Sequence, residues 1–507
     1  MTDYSASNKR IAKNTLFLYV RMGLSILVNL YTVRVIWQVL GIDDYGIYNL
    51  VGGIVLMFQF LNSAMVASSQ RFISFELGKG NLDNLRKVFS ISVTVHYLLA
   101  GAILLLAETI GLWFLNAKLN IPADRMVAAN WVYQCSILAF LVTVISVPYN
   151  ACIVAHEHMK AYGYFGILEV LLKLGIVFLL MAIPFDKLIT YAVLVLIVQV
   201  SIRIIYQIYC RRHFPECHYN YTRDPHLMRD MFSFAGWSFI GNMGFSVRDQ
   251  GLNIILNMFF NVAMNAARGV ALQISNVISG FASNFQMALN PQITKRYAAG
   301  EINSMIDLVF RGCKFSLYLL SIIAIPLWIT CEEILKLWLD SVTPQTIVFL
   351  KLALIMALID SMVSPITTAI QATGKIKVFQ ILISIIMIAS IPTAWIFMKI
   401  SPNPYAVMYV AIGCSIVALL TRIFLLNSMI NISITKFVRH VILTGFLIIF
   451  SSGSISCFIY TFLSKDITSV VLVSTLSILI SISLIYVIGL SDSEKTYLKK
   501  LIHKSSK

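Results

Sequence analysis

Charge is what this chain has least of. Asp, Glu, Lys and Arg make up 12% of its 507 residues, while 58% are apolar, and the mean hydropathy is +0.82. Soluble domains carry about a quarter charged residues, so a soluble fold is excluded and the chain must be covered by lipid. Acidic residues are scarcer than basic ones, 23 against 39. Paired cysteine spacing is lacking too. Of eight cysteines, Cys135, Cys152, Cys313, Cys331, Cys414 and Cys457 lie in or beside apolar stretches, where they read as packing residues, not as a disulfide framework.

What is present is a series of apolar runs. A helix needs about 20 residues to cross a hydrocarbon core of about 30 Å. Fourteen stretches qualify, near residues 15–37, 46–66, 88–114, 127–153, 163–183, 188–209, 231–258, 262–289, 315–334, 346–370, 377–398, 405–427, 440–462 and 468–489. The opening "MTDYSASNKRIAKN" is polar and the first span lacks a small-residue cleavage site, so no removable signal is expected. The expected class is an all-α polytopic membrane protein.

A net charge of +16 in a soluble chain would suggest nucleic acid; here its location decides. Segments on one side hold Lys9, Arg10 and Lys13, then Arg71, Lys79, Arg86 and Lys87, then Lys160, then Arg211, Arg212, Arg223 and Arg229, then Lys295, Arg296, Arg311 and Lys314, then Lys375 and Lys377, then Lys436 and Arg439, and the terminal lysines. The other side carries only Lys118, Arg125, Lys187, Lys336, Lys399 and Lys465. Cationic loops stay cytoplasmic during insertion, which places both termini inside. No nucleic-acid partner is expected; membrane lipids are, because inward cations meet anionic headgroups.

The chain repeats itself. "SVPYNACIVAHEHMKAYGYFGILE" from Ser146 and "VSPITTAIQATGKIKVFQILIS" from Val363 align with Pro148 on Pro365, Ala155 on Ala372 and Lys160 on Lys377. "ELGKGNLDNLRKVF" and "RYAAGEINSMIDLVF" align through Gly80 and Gly300. Spans 1–6 thus resemble spans 7–12, with two appended, giving an N-terminal lobe over 1–215, a C-terminal lobe over 223–430 and an appendage with a basic tail over 431–507. An even number of spans per copy makes the repeats parallel, and two such lobes rocking about a central cavity give alternating access.

A cavity needs polar lining, which appears as rows at helical spacing. Span 7 carries Asn242, Ser246, Asp249, Asn253 and Asn257; span 8 carries Arg268, Ser275, Ser279, Ser283 and Gln286. Span 1 carries Asn14, Arg21, Ser25, Asn29 and Thr32, and span 2 carries Asn49, Gln59, Ser63 and Gln70. Serine, threonine and asparagine also mediate plain helix packing. Charges sharpen the assignment, since an ion at mid-membrane costs about 2.5 to 3.5 kcal/mol on insertion scales, so Arg21, Asp249 and Arg268 are expected to face water, cargo or each other.

Other charges fit differently. Arg203, Lys351 and Arg422 sit near span ends and are expected to snorkel to headgroups. Glu169 and Lys173 are four apart and form an ion pair or a relay. With Asp249 and Asp360 they complete the candidates for a coupling ion or an ion pair. Glu108 has no role fixed by the sequence; Arg34 and Arg248 lie off the polar rows and are expected to act near the outer rim or to pack against another helix.

Chemistry has little to work with. In "GIDDYG", Asp43 and Asp44 stand where some membrane glycosyltransferases keep carboxylates, but a cap at the positive end of span 2 is the ordinary role. Glycan-processing enzymes also need a large external loop, and no outward loop exceeds about fifteen residues. "CRRHFPECH" offers Cys210, His213, Cys217 and His218 at zinc-like spacing, yet a short Arg- and His-rich inward loop reads as a solvated connector. No metal, cofactor, nucleophile–base pair or phosphate-cradling loop is expected.

The stretches "NTLFLYVRMGLSILVNLYTVRVIWQVLGIDDYGIYNLVGGI" and "SSQRFISFELGKGN", with the six-plus-six-plus-two layout, resemble the polysaccharide flippases of the multidrug/oligosaccharidyl-lipid/polysaccharide exporter superfamily. The resemblance implies a V-shaped MATE-like transporter in the bacterial cytoplasmic membrane. Its cargo would be an undecaprenyl-pyrophosphate-linked oligosaccharide, an O-antigen, capsule or exopolysaccharide unit, moved from inner to outer leaflet. It also implies polysaccharide polymerase machinery as a partner. Related lipid II flippases use cavity arginines on spans 1, 2 and 8; Arg21 and Arg268 match the first and last, while span 2 has Gln59 instead, which weighs against lipid II. A drug or cation antiporter of the same superfamily is the alternative, and it should place more carboxylates than arginines on the cavity face.

Overall fold

A backbone inside hydrocarbon has no water to bond to and must satisfy its own N–H and C=O groups. The computed structural model accordingly runs helix after helix, without a strand among the described residues, which are 2–56, 58–118, 121–222, 224–260, 262–338, 342–463, 466–492 and 494–496. Ten helical stretches among them are long and apolar enough to cross a membrane: Leu82–Ala117, Ala123–Ala155, Met159–Ala182, Lys187–His213, Ile302–Ile329, Pro344–Ala372, Lys377–Ile400, Ala406–Ile430, Ile434–Thr461 and Ile467–Gly489. The chain is a multi-pass membrane protein. Of the expectations above, Asp43, Arg34 and Asn49 have side chains outside the described set, as do the orienting cations Lys9, Arg10, Lys13, Lys118, Arg223, Lys465 and those from Lys499 on.

Helices gather into two compact units, Met1–Asn242 with Thr294–Gly300, and Met243–Ile293 with Glu301–Lys507. The first begins with α1 (Thr2–Leu56), α2 (Gln59–Lys79), α3 (Leu82–Leu106), α4 (Leu112–Lys118), α5 (Met126–Ala155), α6 (Met159–Ala182) and α7 (Lys187–His213). α8 (Pro225–Phe259) and α9 (Val262–Ala298) contribute to both units. The second continues with α10 (Ile302–Ile329), α11 (Cys331–Trp338), α12 (Pro344–Asp360), α13 (Val363–Ala372), α14 (Lys377–Ile400), α15 (Ala406–Ile430), α16 (Ile434–Phe437), α17 (Thr444–Thr461) and α18 (Ile467–Leu484).

In the first unit α5 is the central helix. It packs on α1, α2, α3 and α7, and its Val132, Tyr133, Ile137 and Val144 are fully buried with Ile103, Leu115 and Val177. Lipid is as apolar as leucine, so close fit rather than the hydrophobic effect holds such helices together. Between α3 and α4 one π-helical turn, Ala107–Gly111, widens the spiral. Such a turn frees a carbonyl, and the Tyr133 hydroxyl donates to Ala107 O at 2.7 Å. Gly111 is required there, because a Cβ would overlap that hydroxyl. In the second unit α15 packs on α12, α13 and α14, and α10 on α12 and α17, around Phe349, Ala353, Leu320, Ala394 and Val407.

Two expected spans are broken. Span 46–66 is interrupted between Leu56 and Gln59, just after Gly52 and Gly53, each of which weakens a helix by about 1 kcal/mol. Span 346–370 splits between Asp360 and Val363 because Pro365 lacks the N–H that would bond to Ser361 O. Gln286 Nε2 supplies that bond at 2.7 Å instead. The loop expected between the first two spans shrinks to Gly41, whose φ of 80° and ψ of 173° lie in a region that only glycine occupies freely.

The echoed joins share a backbone turn. Gly80 and Gly300 have φ of 71° and 79°, and Glu157 and Gly374, which align in the other echo, have φ of 60° and 77°. All four sit where one helix ends and the next begins.

Candidate functional site

Each unit holds a group of charges among its apolar helices. In the first, α1 lies along α6. Gly166 forms a notch on α6, and a Cβ there would take the space of Arg21 Nε. The Arg21 guanidinium rests over the Tyr162 ring at 4.5 Å, a cation–π contact. One turn along, Glu169 Oε1 accepts from Lys173 Nζ at 2.7 Å and from Gln199 Nε2 of α7 at 3.1 Å. Glu169 is thus already satisfied. Arg21 is half-buried, and among the described residues no carboxylate is hydrogen-bonded to it.

The second unit binds its charges more tightly. Arg248, 4% exposed, donates to Asp249 Oδ1 from Nε and reaches the same oxygen from Nη2, both at 3.0 Å. Its Nη1 lies 3.4 Å from Met387 Sδ on α14. α8 approaches α14 closely because Gly244 and Gly251 leave room, for a Cβ at either would strike Ser384 or Ile391. Asp360 is reached by the charges of Arg248 and Arg422. Arg422 is 2% exposed, with Phe379 at 5.8 Å and Phe245 at 5.9 Å.

These contacts correct the snorkelling assignment. Arg422 stays inside its unit, and Arg203 is half-buried over the Tyr149 ring at 4.2 Å. Both had been placed by distance from a span end, which ignores that an aromatic face inside a bundle also receives a guanidinium. A signal was present: Arg203 and Arg422 fall within two residues of the same offset as the echoed prolines. Lys351 is half-buried against Trp328 at 4.7 Å. Arg248, expected at the outer rim or against another helix, packs on α14 at Met387 and is the partner of Asp249, so the carboxylate on the polar row pairs with its own neighbour.

The remaining expected lining residues are dispersed. On α9, Arg268 is 2% exposed and donates to Asn253 Oδ1 at 2.5 Å. Ser275 donates to Ala353 O at 3.2 Å, Ser279 to Ser275 O and Ser283 to Ser279 O, and Gln286 also reaches Ser316. This row is largely spent on packing against α10 and α12. On α1, Asn29 is exposed, Ser25 half-buried and Thr32 buried, while Asn14 donates to Glu157 O at 3.2 Å. Gln59, Ser63 and Ser246 are exposed; Asn242 Nδ2 donates to Ser63 Oγ at 3.2 Å.

Further ion pairs lie near the helix joins. Arg125 donates to both oxygens of Asp44 and, from Nη1, to Asp186 Oδ2 at 2.6 Å. Asp44, expected as a cap or a catalytic carboxylate, is a salt-bridge partner. Lys295 Nζ lies 2.8 Å from Glu157 Oε1, which is 1% exposed. The Lys295 pair holds a non-glycine residue in left-handed conformation, which costs about 1 to 2 kcal/mol.

The model of a family described as polysaccharide biosynthesis proteins matches residues 11–296, and that of the MatE family matches residues 239–396. No individually curated protein matches the chain. Among solved structures it is similar to a MATE protein in complex with MaD3S, at TM-score 0.72 and 12% identity over 84% of this chain and 97% of that one. A multidrug resistance MATE family transporter of the MOP superfamily, in its outward-facing conformation, gives 0.72 and 12% over 84% and 96%. A MOP superfamily transporter from Pyrococcus furiosus, described by the reverse polarity of its binding pocket, gives 0.69 and 13% over 84% and 96%. The fold is MATE-like, and these relatives are transporters rather than enzymes.

Proposed function

We propose a transport function, starting from the fact that this chain belongs to the polysaccharide biosynthesis protein family, within the multidrug/oligosaccharidyl-lipid/polysaccharide exporter superfamily. It flips an undecaprenyl-pyrophosphate-linked oligosaccharide from the inner to the outer leaflet of the bacterial cytoplasmic membrane by alternating access, with both termini cytoplasmic and without covalent change to the cargo. The observation that carries this reading is Arg21. A guanidinium held by a glycine notch and an aromatic face, with its neighbouring carboxylate bonded elsewhere, has its fork available for phosphate oxygens.

Fourteen spans in two parallel six-helix repeats, with two appended, belong to the same proposal. The left-handed turns at Gly80 and Gly300 and at Glu157 and Gly374 support it. So do the neighbour relations: α5 touches α3 and α7, and α12 touches α10 and α15. Exposed Ser246, Ser63, Gln59 and Asn29 suit sugar hydroxyls.

The test is a deletion strain in which lipid-linked glycan is sorted by leaflet. Expected are glycans of normal structure trapped on the cytoplasmic leaflet and depleted surface polysaccharide, restored by the wild type and not by Arg21→Ala. Unchanged surface polysaccharide with lowered resistance to cationic drugs overturns the reading in favour of an antiporter.

A further inference from the structure

The ends of α5 and α7 bring together groups that the transport reading does not use. Cys152 near the end of α5, Cys210 near the end of α7, and Cys217 beyond it are all fully buried. Pro215 cannot continue α7, and the Cys217 N–H donates to Phe214 O at 3.1 Å, so a tight turn returns Cys217 beneath the helix end. Cys217 neighbours both Cys152 and Cys210, and Cys210 Sγ lies 3.5 Å from Tyr149 O. Three thiols in a core can be plain packing. The fourth group is not so easily explained: Glu216 is 1% exposed.

One oxygen of that carboxylate, Oε1, meets His156 Nε2 at 2.5 Å, with His156 stacked on Phe214 at 4.1 Å. The other, Oε2, is buried without a hydrogen-bond partner. An orphaned carboxylate oxygen in a core is costly. The ligand atoms of Cys152, Cys217 and Glu216 lie within 4.8 Å of one another. Thiolates about 2.3 Å from a tetrahedral zinc stand about 3.8 Å apart, so small rotamer changes close the set. The pairing read from sequence spacing is different here: Cys210 and Cys217 turn inward, but His213 and His218 are exposed.

We propose that Cys152, Cys210, Cys217 and Glu216 bind one thiophilic divalent cation of the Zn²⁺ type, a structural staple joining α5, α7 and the connector after it. Binding releases the three thiol protons to solvent and gives Glu216 Oε2 its partner. His156 fixes the carboxylate, as an outer partner does for a ligating group. The Arg203 guanidinium, over the same Tyr149 whose carbonyl faces Cys210, adds positive charge beside a site whose ligands outweigh the ion. This inference does not rest on the cargo.

The test uses full-length protein, purified in detergent and freed of metal, titrated with Co²⁺. A thiolate-to-cobalt charge-transfer band is expected at about one equivalent per chain, displaced by Zn²⁺. Cys217→Ser should abolish it, Glu216→Gln should weaken binding about tenfold, and Cys414→Ser in α15 should leave it unchanged. Glu216→Gln keeps the side-chain shape and carries the test if Cys217→Ser does not fold. A missing band, or a band retained in Glu216→Gln with unchanged affinity, overturns the proposal. So does a Cys210–Cys217 disulfide in protein that takes up no Co²⁺.

Discussion

Arg21 in the first unit and Arg248 in the second both stand on helices marked by polar rows, yet their surroundings differ. Arg248 is buried, gripping Asp249 and packed against Met387, with Asp360 and Arg422 close by. Arg21 leans on Tyr162 and on Gly166, and the nearby Glu169 is bonded to Lys173 and Gln199. A charge interlocked with opposite charges contributes to the fold, and removing it strands its partners. A charge seated on an aromatic face and a backbone notch leaves little uncompensated when removed. The second unit's charges therefore read as structure, and the proposed transport function rests on the first unit's arginine.

The largest effect should separate these roles. Arg248→Ala leaves Asp249 and Asp360 with less compensation and should cost about 3 kcal/mol, seen as a lower thermal midpoint in detergent. Arg21→Ala should leave that midpoint within a few degrees. A drop in Arg21→Ala equal to that in Arg248→Ala would erase the comparison.

Next comes activity. Arg21→Ala should lower delivery of glycan to the outer leaflet by at least about tenfold, the scale of one charge-assisted contact of about 1.5 to 3 kcal/mol. Gly166→Ala, which displaces the guanidinium without deleting it, should give a smaller loss. If Gly166→Ala is as active as wild type, the notch has no functional weight.

A smaller change compares the echoed turns. Gly374→Ala places a side chain at φ of 77° and should destabilise by about 1 kcal/mol. Its counterpart Glu157 already bears that strain, so Glu157→Ala should lose stability through the Lys295 pair rather than through the backbone; Lys295→Ala in the Glu157→Ala background then adds little.

The smallest effect concerns pH at the join between α6 and α7. Partial burial pushes the Asp186 carboxyl up, but the Ile189 N–H and Arg125 outweigh this and hold it below the usual carboxylate value. A depressed folded value gives stability that is present above about pH 4 and lost as pH falls through it. The group is about a third exposed and screened, so the contribution is under about 1 kcal/mol. Stability followed from pH 6 to pH 2 should fall less steeply in Asp186→Asn than in the wild type.

Hydropathy and repeated motifs were enough to read helices, membrane residence and the placement of the joins, because a lipid-covered backbone must form helices wherever the chain is long and apolar. Arg21 stood out as well, since an ion in such a run demands a reason. The environment of the other charges was not. Arg422 looked like a headgroup anchor because its neighbours Phe245 and Phe379 are remote in sequence, and the off-row position of Arg248 pointed to the rim or to another helix without naming α14.

The amino-acid order thus settled that the segments are apolar helices and where the echoed joins between them fall. Those depend on the burial of a residue's own backbone and on its immediate neighbours. Tertiary structure alone decided which charges are satisfied and which remain available, and it alone placed Cys152 beside Glu216 and Cys217. Coulombic compensation and ligand geometry depend on distances of a few ångströms between residues tens or hundreds of positions apart, and helical periodicity carries no information about such distances.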